Sequence, residues 1–428
     1  MEKFVVNGGY PLTGTVRIGG SKNAVLPVMA AALLTGEKCV IRGVPRLSDV
    51  TAMEDILESL GANVKWDKRA GSITIGAEGQ LFPEASYELI SKMRASFLII
   101  GPLLARTGDV KIPLPGGCAI GARPVDLHLK GLSALGAEIE REHGYVRARA
   151  KKLEGAKVYL DFPSVGATEN IVMAAVLAKG QTILENCAVE PEIVDLANFL
   201  NSAGADIRGA GTDTIKVNGV KELKATDHTI IPDRIEAGTF MVAAAITHGD
   251  VTLTNVVADH LKPVIAKLKE ANVSVSESGK GLRVCNENGA GTVASDIKTL
   301  PYPGFPTDMQ AQFMAMLTTA RGTSIVTETV FENRFMHVGE LKRMGADIKI
   351  ESRSAVLEGV KTLMGAQVKA SDLRAGAALV LAALGAKGAT EIDDIYHIDR
   401  GYFQIEQKLN GLGARIERVA AGAATAEG

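Results

Sequence analysis

Hydrophobic and polar positions along the chain follow one pattern that recurs six times. In each copy a nearly uncharged apolar stretch ends at a glycine and leads into a short strand, and these glycines stand at Gly36, Gly108, Gly180, Gly249, Gly322 and Gly388. A stretch with charge on no face predicts a helix that is buried all round. A glycine just past it supplies the left-handed residue that ends many helices. The spacing of 66 to 73 residues indicates a structural repeat.

An amphipathic helix follows in every copy and ends in a step of the form Gly-Ala-x-Ile/Val before another strand. The copies read LESLGANV, LSALGAEI, LNSAGADI, LKEANVSV, LKRMGADI and LNGLGARI. The fourth copy lacks the glycine, and we align Glu270 with its position. The charged face of this helix, as in 261–269, predicts a place at the surface.

Each repeat therefore predicts helix, strand, helix and two strands. An apolar helix covered by a sheet and an amphipathic helix is a layered α/β unit, so six copies make two bodies of three repeats. The stretch 227–233 is the candidate junction between them.

The composition is that of a globular protein, and it argues against nucleic acid and membranes as partners. Of 428 residues, 46% are hydrophobic, and the net charge of −2 comes with no Lys/Arg run long enough to follow a phosphate backbone. We therefore expect no nucleic-acid partner. The N-terminus lacks the apolar core of a signal peptide, and no apolar stretch has spanning length, so we expect no membrane partner and a cytoplasmic location.

The cysteines and histidines are spaced too widely for a metal site. Four cysteines stand far apart without a CxxC pair, and seven histidines show no ligand spacing. The segment 14–22 resembles a phosphate loop but lacks its Gly-Lys-Ser/Thr ending. We expect reduced thiols, no metal and no cofactor.

The loop PLPGGCAIGARPVD, residues 113–126, carries the most distinctive chemistry. It places Cys118 on a glycine-rich, proline-framed loop, five residues before Arg123. A thiol beside positive charge ionises more easily and can act as acid, base or nucleophile. A structural cysteine beside a turn is the alternative for such a residue in isolation.

Polar clusters stand at the start of each buried helix, where free N–H groups and the helix dipole attract anions. The clusters lie at 21–23, 92–94, 164–166, 233–234, 307–308 and 372–374. If these helix starts converge, the nearby cations would make an anion-binding site: Lys22, Arg94, Arg123, Arg334, Arg374 and Arg400. Helix caps and ion pairs at a domain surface are the alternative for any one cluster.

Together these motifs resemble those of one enzyme family. They are GGSKNA at 19–24, MRAS at 93–96, PGGCAIGARPVD at 115–126, SVGAT at 164–168, FPTD at 305–308, FENRFMH at 331–337 and HIDRGY at 397–402. The chain resembles the UDP-N-acetylglucosamine 1-carboxyvinyltransferase (MurA) family from about residue 4 to 419. The resemblance implies two inside-out α/β barrels, each of three helix-strand-helix-strand-strand repeats, with the active site in the interdomain cleft. It implies one barrel from 1–21 and 230–428, and the other from 22–229.

The resemblance also implies a reaction. The enolpyruvyl group of phosphoenolpyruvate is transferred by addition and elimination to the 3′-hydroxyl of UDP-N-acetylglucosamine, which releases phosphate in the first committed step of peptidoglycan synthesis. The partners would be these two small molecules, and the oligomeric state stays open.

Site residues follow from the matched motifs. Cys118 would protonate phosphoenolpyruvate and form a covalent adduct, Asp308 would be the base, and Lys22 and Arg400 would also be catalytic. Phosphoenolpyruvate would contact Lys22, Asn23, Arg123 and Arg400. The UDP-sugar would contact Arg94, Arg123, Pro124, Val125, Asp126, Leu127, Ser164, Val165, Gly166, Asp308 and Val330. The supporting residues would be Asp49, Glu190, Arg334, Asp372 and Arg374.

The sequence departs from the family pattern at two places. Phe97-Leu98 and Phe162-Pro163 replace a tryptophan and a nucleotide-contacting lysine of some relatives.

Three other functions fit the sequence less well. An enolpyruvyl transferase acting on shikimate 3-phosphate is disfavoured by the cysteine loop. A silent UDP-sugar-binding paralogue is disfavoured by the intact Lys22, Cys118 and Asp308. An RNA-end-processing enzyme is disfavoured by the near-neutral charge.

Overall fold

The computed structural model describes residues 2–91, 93–114, 125–279, 281–286 and 291–420. These residues divide into two compact units. Unit 1 holds the described residues up to 19 and from 232 onwards, and unit 2 holds those between 20 and 231. The sequence analysis places the junctions after residues 21 and 229.

The strands are short and evenly distributed along the described chain. They are β1 Glu2–Asn7, β2 Thr13–Arg17, β3 Lys38–Arg42, β4 Asn63–Asp67, β5 Ser72–Gly76, β6 Asp109–Pro113, β7 Glu138–Glu142, β8 Tyr145–Arg149, β9 Lys157–Tyr159, β10 Gln181–Glu185, β11 Asp206–Arg208, β12 Thr214–Asn218, β13 Asp227–Thr229, β14 Asp250–Thr254, β15 Ser274–Ser278, β16 Gly281–Cys285, β17 Ile297–Lys298, β18 Thr323–Thr327, β19 Asp347–Glu351, β20 Ser354–Glu358, β21 Gln367–Lys369, β22 Ala389–Asp393 and β23 Arg415–Ala420.

Helices alternate with these strands. They are α1 Lys22–Ala31, α2 Ser48–Ser59, α3 Tyr87–Ser91, α4 Ile100–Thr107, α5 Asp126–Ala134, α6 Val165–Ala175, α7 Pro191–Ser202, α8 Arg234–Ile246, α9 Lys262–Glu270, α10 Gln310–Leu317, α11 Val338–Arg343, α12 Leu373–Gly385, α13 Tyr396–Asp399 and α14 Ile405–Asn410. Short 3-10 turns cover Ala32–Leu34, Arg94–Ile99, Ala258–Leu261 and Thr307–Met309.

Within the described residues, six sheets follow the six repeats. Their strand orders are β21-β22-β1-β23, β15-β16-β14-β2 and β17-β18-β20-β19 in unit 1, and β13-β3-β5-β4, β6-β8-β7 and β11-β12-β10-β9 in unit 2. In five of the sheets the strand after the buried helix pairs antiparallel with the second strand of a hairpin, as β3 does with β5. In five sheets a short strand pairs parallel on its other side, as β13 does with β3.

The predicted division into buried and surface helices is confirmed. In unit 1 the apolar helices α8, α10 and α12 pack on one another, and α12 is buried continuously from Arg374 to Leu384. In unit 2 helix α4 packs on α6, and α1 packs on the 3-10 turn Arg94–Ile99 that precedes α4. Helix α9 buries only Val264 and Leu268, as its charged face predicts. The two-domain α/β class is therefore correct, whereas closure into inside-out barrels stays a prediction.

The sixth repeat departs from the predicted order. Within the described residues one strand, β23, follows its second helix, and the N-terminal strand β1 lies between β22 and β23. Phe4 pairs with Ile392 on one side and with Arg418 on the other. The prediction of two strands after every second helix is wrong here, because the missing strand comes from the other end of the chain.

Two predictions about left-handed residues also need correction. Gly249 does not have a positive φ; His248 before it does, at 51°. In the fourth copy of the second pattern, Asn272 with φ 64° takes the place of the glycine, not Glu270. Asparagine adopts this region more readily than other residues with a side chain, so the turn is kept without glycine.

None of the helices in the described part of the chain combines the length and apolar character that a membrane span requires.

Candidate functional site

Lys22 in unit 2 begins α1 and forms a buried ion pair. Its Nζ lies 2.7 Å from Oδ2 of Asp49, and the two side chains are 9% and 5% exposed. Ser21 caps α1 by accepting a hydrogen bond from the N–H of Ala24, and Asp49 lies in the first turn of α2. Removing one member of such a pair leaves the other charge buried and uncompensated, which costs roughly 3–5 kcal/mol. The pair thus fixes an ammonium group at a helix N-terminus, where anions bind.

The segment Ser164–Gly166, predicted to contact the UDP-sugar, opens α6. Ser164 caps the helix through the N–H of Ala167, and Val165 and Gly166 form its first turn. The ring of His128 packs against this turn: a Cβ on Gly166 would lie 3.1 Å from its Cε1 atom. The turn therefore offers helix N–H groups beside an imidazole.

His128 is neutral and its tautomer is set by Asn170. Oδ1 of Asn170 accepts the N–H of Gly101 at 3.0 Å, so its Nδ2 is the atom that donates to Nδ1 of His128 at 2.8 Å. The proton of the ring then lies on Nε2. Burial, and secondarily the charge of Arg94, lower the pKa of His128 to about 3. The ring also packs edge-on against Phe97.

The other predicted residues of unit 2 lie on the same group of helices. Val125 precedes α5 and is buried, whereas Asp126 is exposed and pairs with Arg141 at 2.6 Å. Three of the predicted residues are half-buried: Asn23, Arg94 and Leu127.

Glu190 immediately precedes α7, which packs on α1 and α6. Glu169 on α6 was not considered in the sequence analysis. Burial raises the pKa of Glu169 well above its ordinary value, and the charges of Glu192 and Glu190 raise it further. These surroundings favour the protonated form of Glu169.

In unit 1, Asp308 lies on a 3-10 turn between two arginines. Its Oδ1 accepts from Nη2 of Arg334 at 2.7 Å and its Oδ2 from Nη2 of Arg374 at 3.0 Å. The arginine side chains are 5% and 4% exposed, whereas that of Asp308 is 26% exposed. Two guanidinium groups keep the carboxyl ionised. The carboxylate of Asp308 is thus accessible, and the two guanidinium groups that hold it are almost buried.

Glu328 organises the segment that carries Val330. Its Oε1 accepts the N–H of Val330 at 2.8 Å, and its Oε2 accepts the hydroxyl of Thr307 at 2.9 Å. Thr307 in turn accepts from Nη1 of Arg334 at 2.8 Å. Glu328 is 1% exposed, so this chain of hydrogen bonds is buried support for Asp308 and Val330 together.

Asp372 and Arg400 complete the predicted set in unit 1. Asp372 caps α12 by accepting the N–H groups of Arg374 and Ala375. Arg400 follows α13 and is half-buried, and its charge helps burial to lower the pKa of His397. The structure thus brings Asp308, Arg334 and Arg374 into direct contact, with Asp372 one turn away on α12.

Three predicted residues, Cys118, Arg123 and Pro124, lie outside the described residues. Their roles stay predictions, as does the placing of both sets in one cleft. A groove of about 550 Å³ in unit 1, between α9 and β17, is lined by none of the predicted residues.

Sequence reasoning missed three supporting residues, Asn170, Glu328 and Tyr402. Tyr402 lies inside the HIDRGY motif and could have been found there. Asn170 and Glu328 carried no local signal for these roles, because Asn170 donates to Phe97, 73 residues away, and Glu328 accepts from Thr299, 29 residues away.

Nearly the whole chain is similar to proteins that are already known. Residues 6–409 match the family EPSP synthase (3-phosphoshikimate 1-carboxyvinyltransferase). Among solved structures, the enolpyruvyl transferase NikO from Streptomyces tendae is similar with a TM-score of 0.88 at 23% identity, covering 98% of this chain and 99% of that one. EPSP synthase from Acinetobacter baumannii follows with a TM-score of 0.77 at 20% identity, covering 98% and 100%. At these identities the likeness establishes the fold.

Relatives of much higher identity carry a more specific name. UDP-N-acetylglucosamine 1-carboxyvinyltransferase 1 of Caldanaerobacter subterraneus subsp. tengcongensis is 62% identical over 416 residues, which are 97% of this chain and 99% of that protein. UDP-N-acetylglucosamine 1-carboxyvinyltransferase 2 of Carboxydothermus hydrogenoformans is 61% identical over 419 residues, 98% of this chain and 100% of that protein. With the enolpyruvyl transferase fold and this identity along nearly its full length, the chain belongs to the UDP-N-acetylglucosamine 1-carboxyvinyltransferase family.

Proposed function

We propose that the protein transfers the enolpyruvyl group of phosphoenolpyruvate to the 3′-hydroxyl of UDP-N-acetylglucosamine and releases phosphate, the first committed step of peptidoglycan synthesis. The observation that carries this proposal is the 57 to 62% identity, over nearly the whole chain, to relatives named for that reaction. The match to the EPSP synthase family supports the enolpyruvyl donor.

The addition step needs a base for the sugar and an acid for the donor. Asp308 accepts the proton of the 3′-hydroxyl while the oxygen bonds to carbon 2 of phosphoenolpyruvate. Cys118 gives its proton to carbon 3, and the carbon–carbon double bond becomes single. Support for the base comes from the ionised and accessible carboxylate between Arg334 and Arg374.

The elimination step restores the double bond. Carbon 3 gives a proton back to the Cys118 thiolate left by the addition, the bond from carbon 2 to the phosphate oxygen breaks, and phosphate leaves with the electron pair and takes up the proton held by Asp308. Lys22 and Arg400, with Arg123, neutralise the phosphate and carboxylate charges of the donor. The buried pair of Lys22 and Asp49 supports this role, because it holds the ammonium group in one place before an anion arrives.

The UDP-sugar is assigned to the α5 and α6 side of unit 2, with Val330 and Asp308 of unit 1. The N–H groups at the start of α6 suit a diphosphate. A cytoplasmic location belongs to the same proposal and is supported by the free thiols of Cys39 and Cys187, which are typical of a reducing compartment.

Phosphate release with phosphoenolpyruvate tests the reaction, comparing UDP-N-acetylglucosamine with shikimate 3-phosphate as acceptor. We expect release with the UDP-sugar alone. The variant Cys118→Ser is the control for contaminating enzymes, because a hydroxyl is a far weaker acid than a thiol and the signal should vanish. Release with shikimate 3-phosphate alone, or with neither acceptor, would overturn the proposal.

A further inference from the structure

Tyr402 lies at the centre of a buried hydrogen-bond network in unit 1. The residue is 1% exposed and follows α13, two positions after Arg400. Its hydroxyl oxygen accepts from Nη1 of Arg374 at 3.1 Å and from Nε2 of Gln312 at 3.3 Å. It also lies 2.9 Å from Oγ1 of Thr239 on α8.

The direction of the last hydrogen bond follows from its neighbours. Thr239 donates its own proton to the carbonyl of Ile235 at 2.8 Å. Its oxygen is then the acceptor, and Tyr402 is the donor. The tyrosine hydroxyl therefore donates to Thr239 and accepts from Arg374, and it shares the second proton of the Gln312 amide with Oγ1 of Thr239, which also lies 3.3 Å from Nε2.

Both partners that donate to Tyr402 also hold Asp308. Nη2 of Arg374 donates to Oδ2 of Asp308 at 3.0 Å, and Nε2 of Gln312 donates to its backbone carbonyl at 2.8 Å. The hydroxyl of Tyr402 thus contacts two side chains that hold Asp308: Arg374 contacts its carboxylate, and Gln312 contacts its backbone carbonyl. The guanidinium also lies 5.5 Å from the ring centroid of Tyr402, which limits how far it can turn.

We propose that Tyr402 is a positioning residue for the base of the proposed reaction, because its hydroxyl sets where Arg374 and Gln312 hold Asp308. The inference rests on the proposed function. With the hydroxyl present, Arg374 divides its two Nη groups between Tyr402 and Asp308. Without it, the guanidinium turns both groups to the carboxylate, which becomes a weaker and displaced base.

Other charged and titratable groups surround this pair and stay in place when the hydroxyl is removed. They are Arg334, Glu328 beyond Thr307, His337 before α11, and the helix caps Asp372 of α12 and Asp233 of α8. A change in the pH profile on loss of the hydroxyl is therefore assigned to the turn of Arg374.

The variant Tyr402→Phe tests the inference, because it removes one oxygen and keeps the ring and its packing. We expect kcat to fall on the order of 10-fold while both KM values change less than about twofold, as for a misplaced catalytic group. The acid limb of the kcat profile should move to lower pH, because added positive charge favours the ionised carboxylate.

Two further variants separate positioning from structure. Tyr396→Phe makes the same change on α13 at a side chain that is 56% exposed, and it should behave as wild type. Thr239→Val removes a buried hydroxyl of the same network but leaves the contact between Tyr402 and Arg374. This variant should have a lower melting temperature, and the acid limb of its kcat profile should stay at the wild-type pH. An unchanged Tyr402→Phe profile, or equal losses without a shift of the limb in Tyr402→Phe and Thr239→Val, would overturn the inference. Failure of the wild-type enzyme to release phosphate would instead reject the proposed function.

Discussion

Asp308 and Glu169 are two carboxyl groups in opposite electrostatic surroundings. Two guanidinium groups pair with Asp308, which favours its ionised form. Burial, with the charges of Glu192 and Glu190, raises the pKa of Glu169, which favours its protonated form. Unit 1 thus presents a carboxyl group suited to accept a proton, whereas the surroundings of Glu169 in unit 2 disfavour its charged form.

His128 gives a prediction about acid stability. Its pKa is lowered to about 3 in the folded state, whereas an unfolded histidine titrates near its ordinary value of 6.5. Between these values the unfolded chain binds a proton that the folded protein refuses, so stability falls as pH decreases through this range. From pH 7 to pH 5 the contribution of His128 should be a loss of roughly 2 kcal/mol.

Urea unfolding at pH 7 and pH 5 measures this loss in the wild type and in His128→Gln. Glutamine can still accept the hydrogen bond of Asn170 through its amide oxygen, but it does not titrate. The variant should therefore lose less free energy of unfolding between the two pH values. His337, whose pKa burial lowers to about 4, stays in both proteins and leaves a residual slope. Equal slopes in the two proteins would refute the assignment to His128.

The chemistry-bearing residues could be predicted from the sequence, but their supports could not. Motifs identify Asp308, Arg334 and Arg374 as single residues, and the structure joins them. Asn170 is different, because its partners are a backbone N–H and a ring far away along the chain. A hydrogen bond between distant segments leaves no trace in local spacing, so only the fold reveals it.

At the scale of elements, the left-handed turn after each amphipathic helix is kept even where glycine is lost. Asn272 has φ 64° there and donates to the carbonyl of Gly291 at 3.2 Å. Asn272→Ala should lower the free energy of unfolding by about 1–2 kcal/mol, because alanine gains nothing to offset a left-handed backbone. Asn272→Gly is the matched variant and should lie near the wild type, since glycine adopts this region freely. Thermal unfolding of the three proteins checks the order, and an alanine variant as stable as the glycine variant would contradict it.

Helices were predicted better than the strands that complete each sheet. The uncharged stretch of α12 predicts burial on all sides, and the structure buries it. Most of the strands that pair parallel, such as β9 beside β10, have only two or three residues and pair through contacts set by the neighbouring repeat. So short a segment carries too little periodicity to be recognised alone.

For the whole molecule, the decisive feature is that strands of the N-terminus complete sheets built mostly by the C-terminal half. Strand β1 lies between β22 and β23, and β2 pairs with β14. Ion pairs reinforce the first sheet: Lys3 lies 2.7 Å from Glu391, and Arg418 lies 2.9 Å from Glu2. Along the chain, unit 2 is thus inserted within unit 1.

Substitution of Phe4 tests whether the two units have separate cores. The side chain is fully buried in the core of unit 1, between the sheet of β1 and the apolar helices. Phe4→Ala should cost about 3–5 kcal/mol through the cavity it leaves, and we expect the loss to fall on unit 1, because the buried cluster around Phe4 contains residues of unit 1 alone. Phe199→Ala is the reciprocal variant, since Phe199 is equally buried in α7 of unit 2. Native-state hydrogen exchange should show faster opening of β22 and β23 in the first variant and of β11 and β12 in the second. Equal acceleration across both units in either variant would mean that they unfold as one cooperative body.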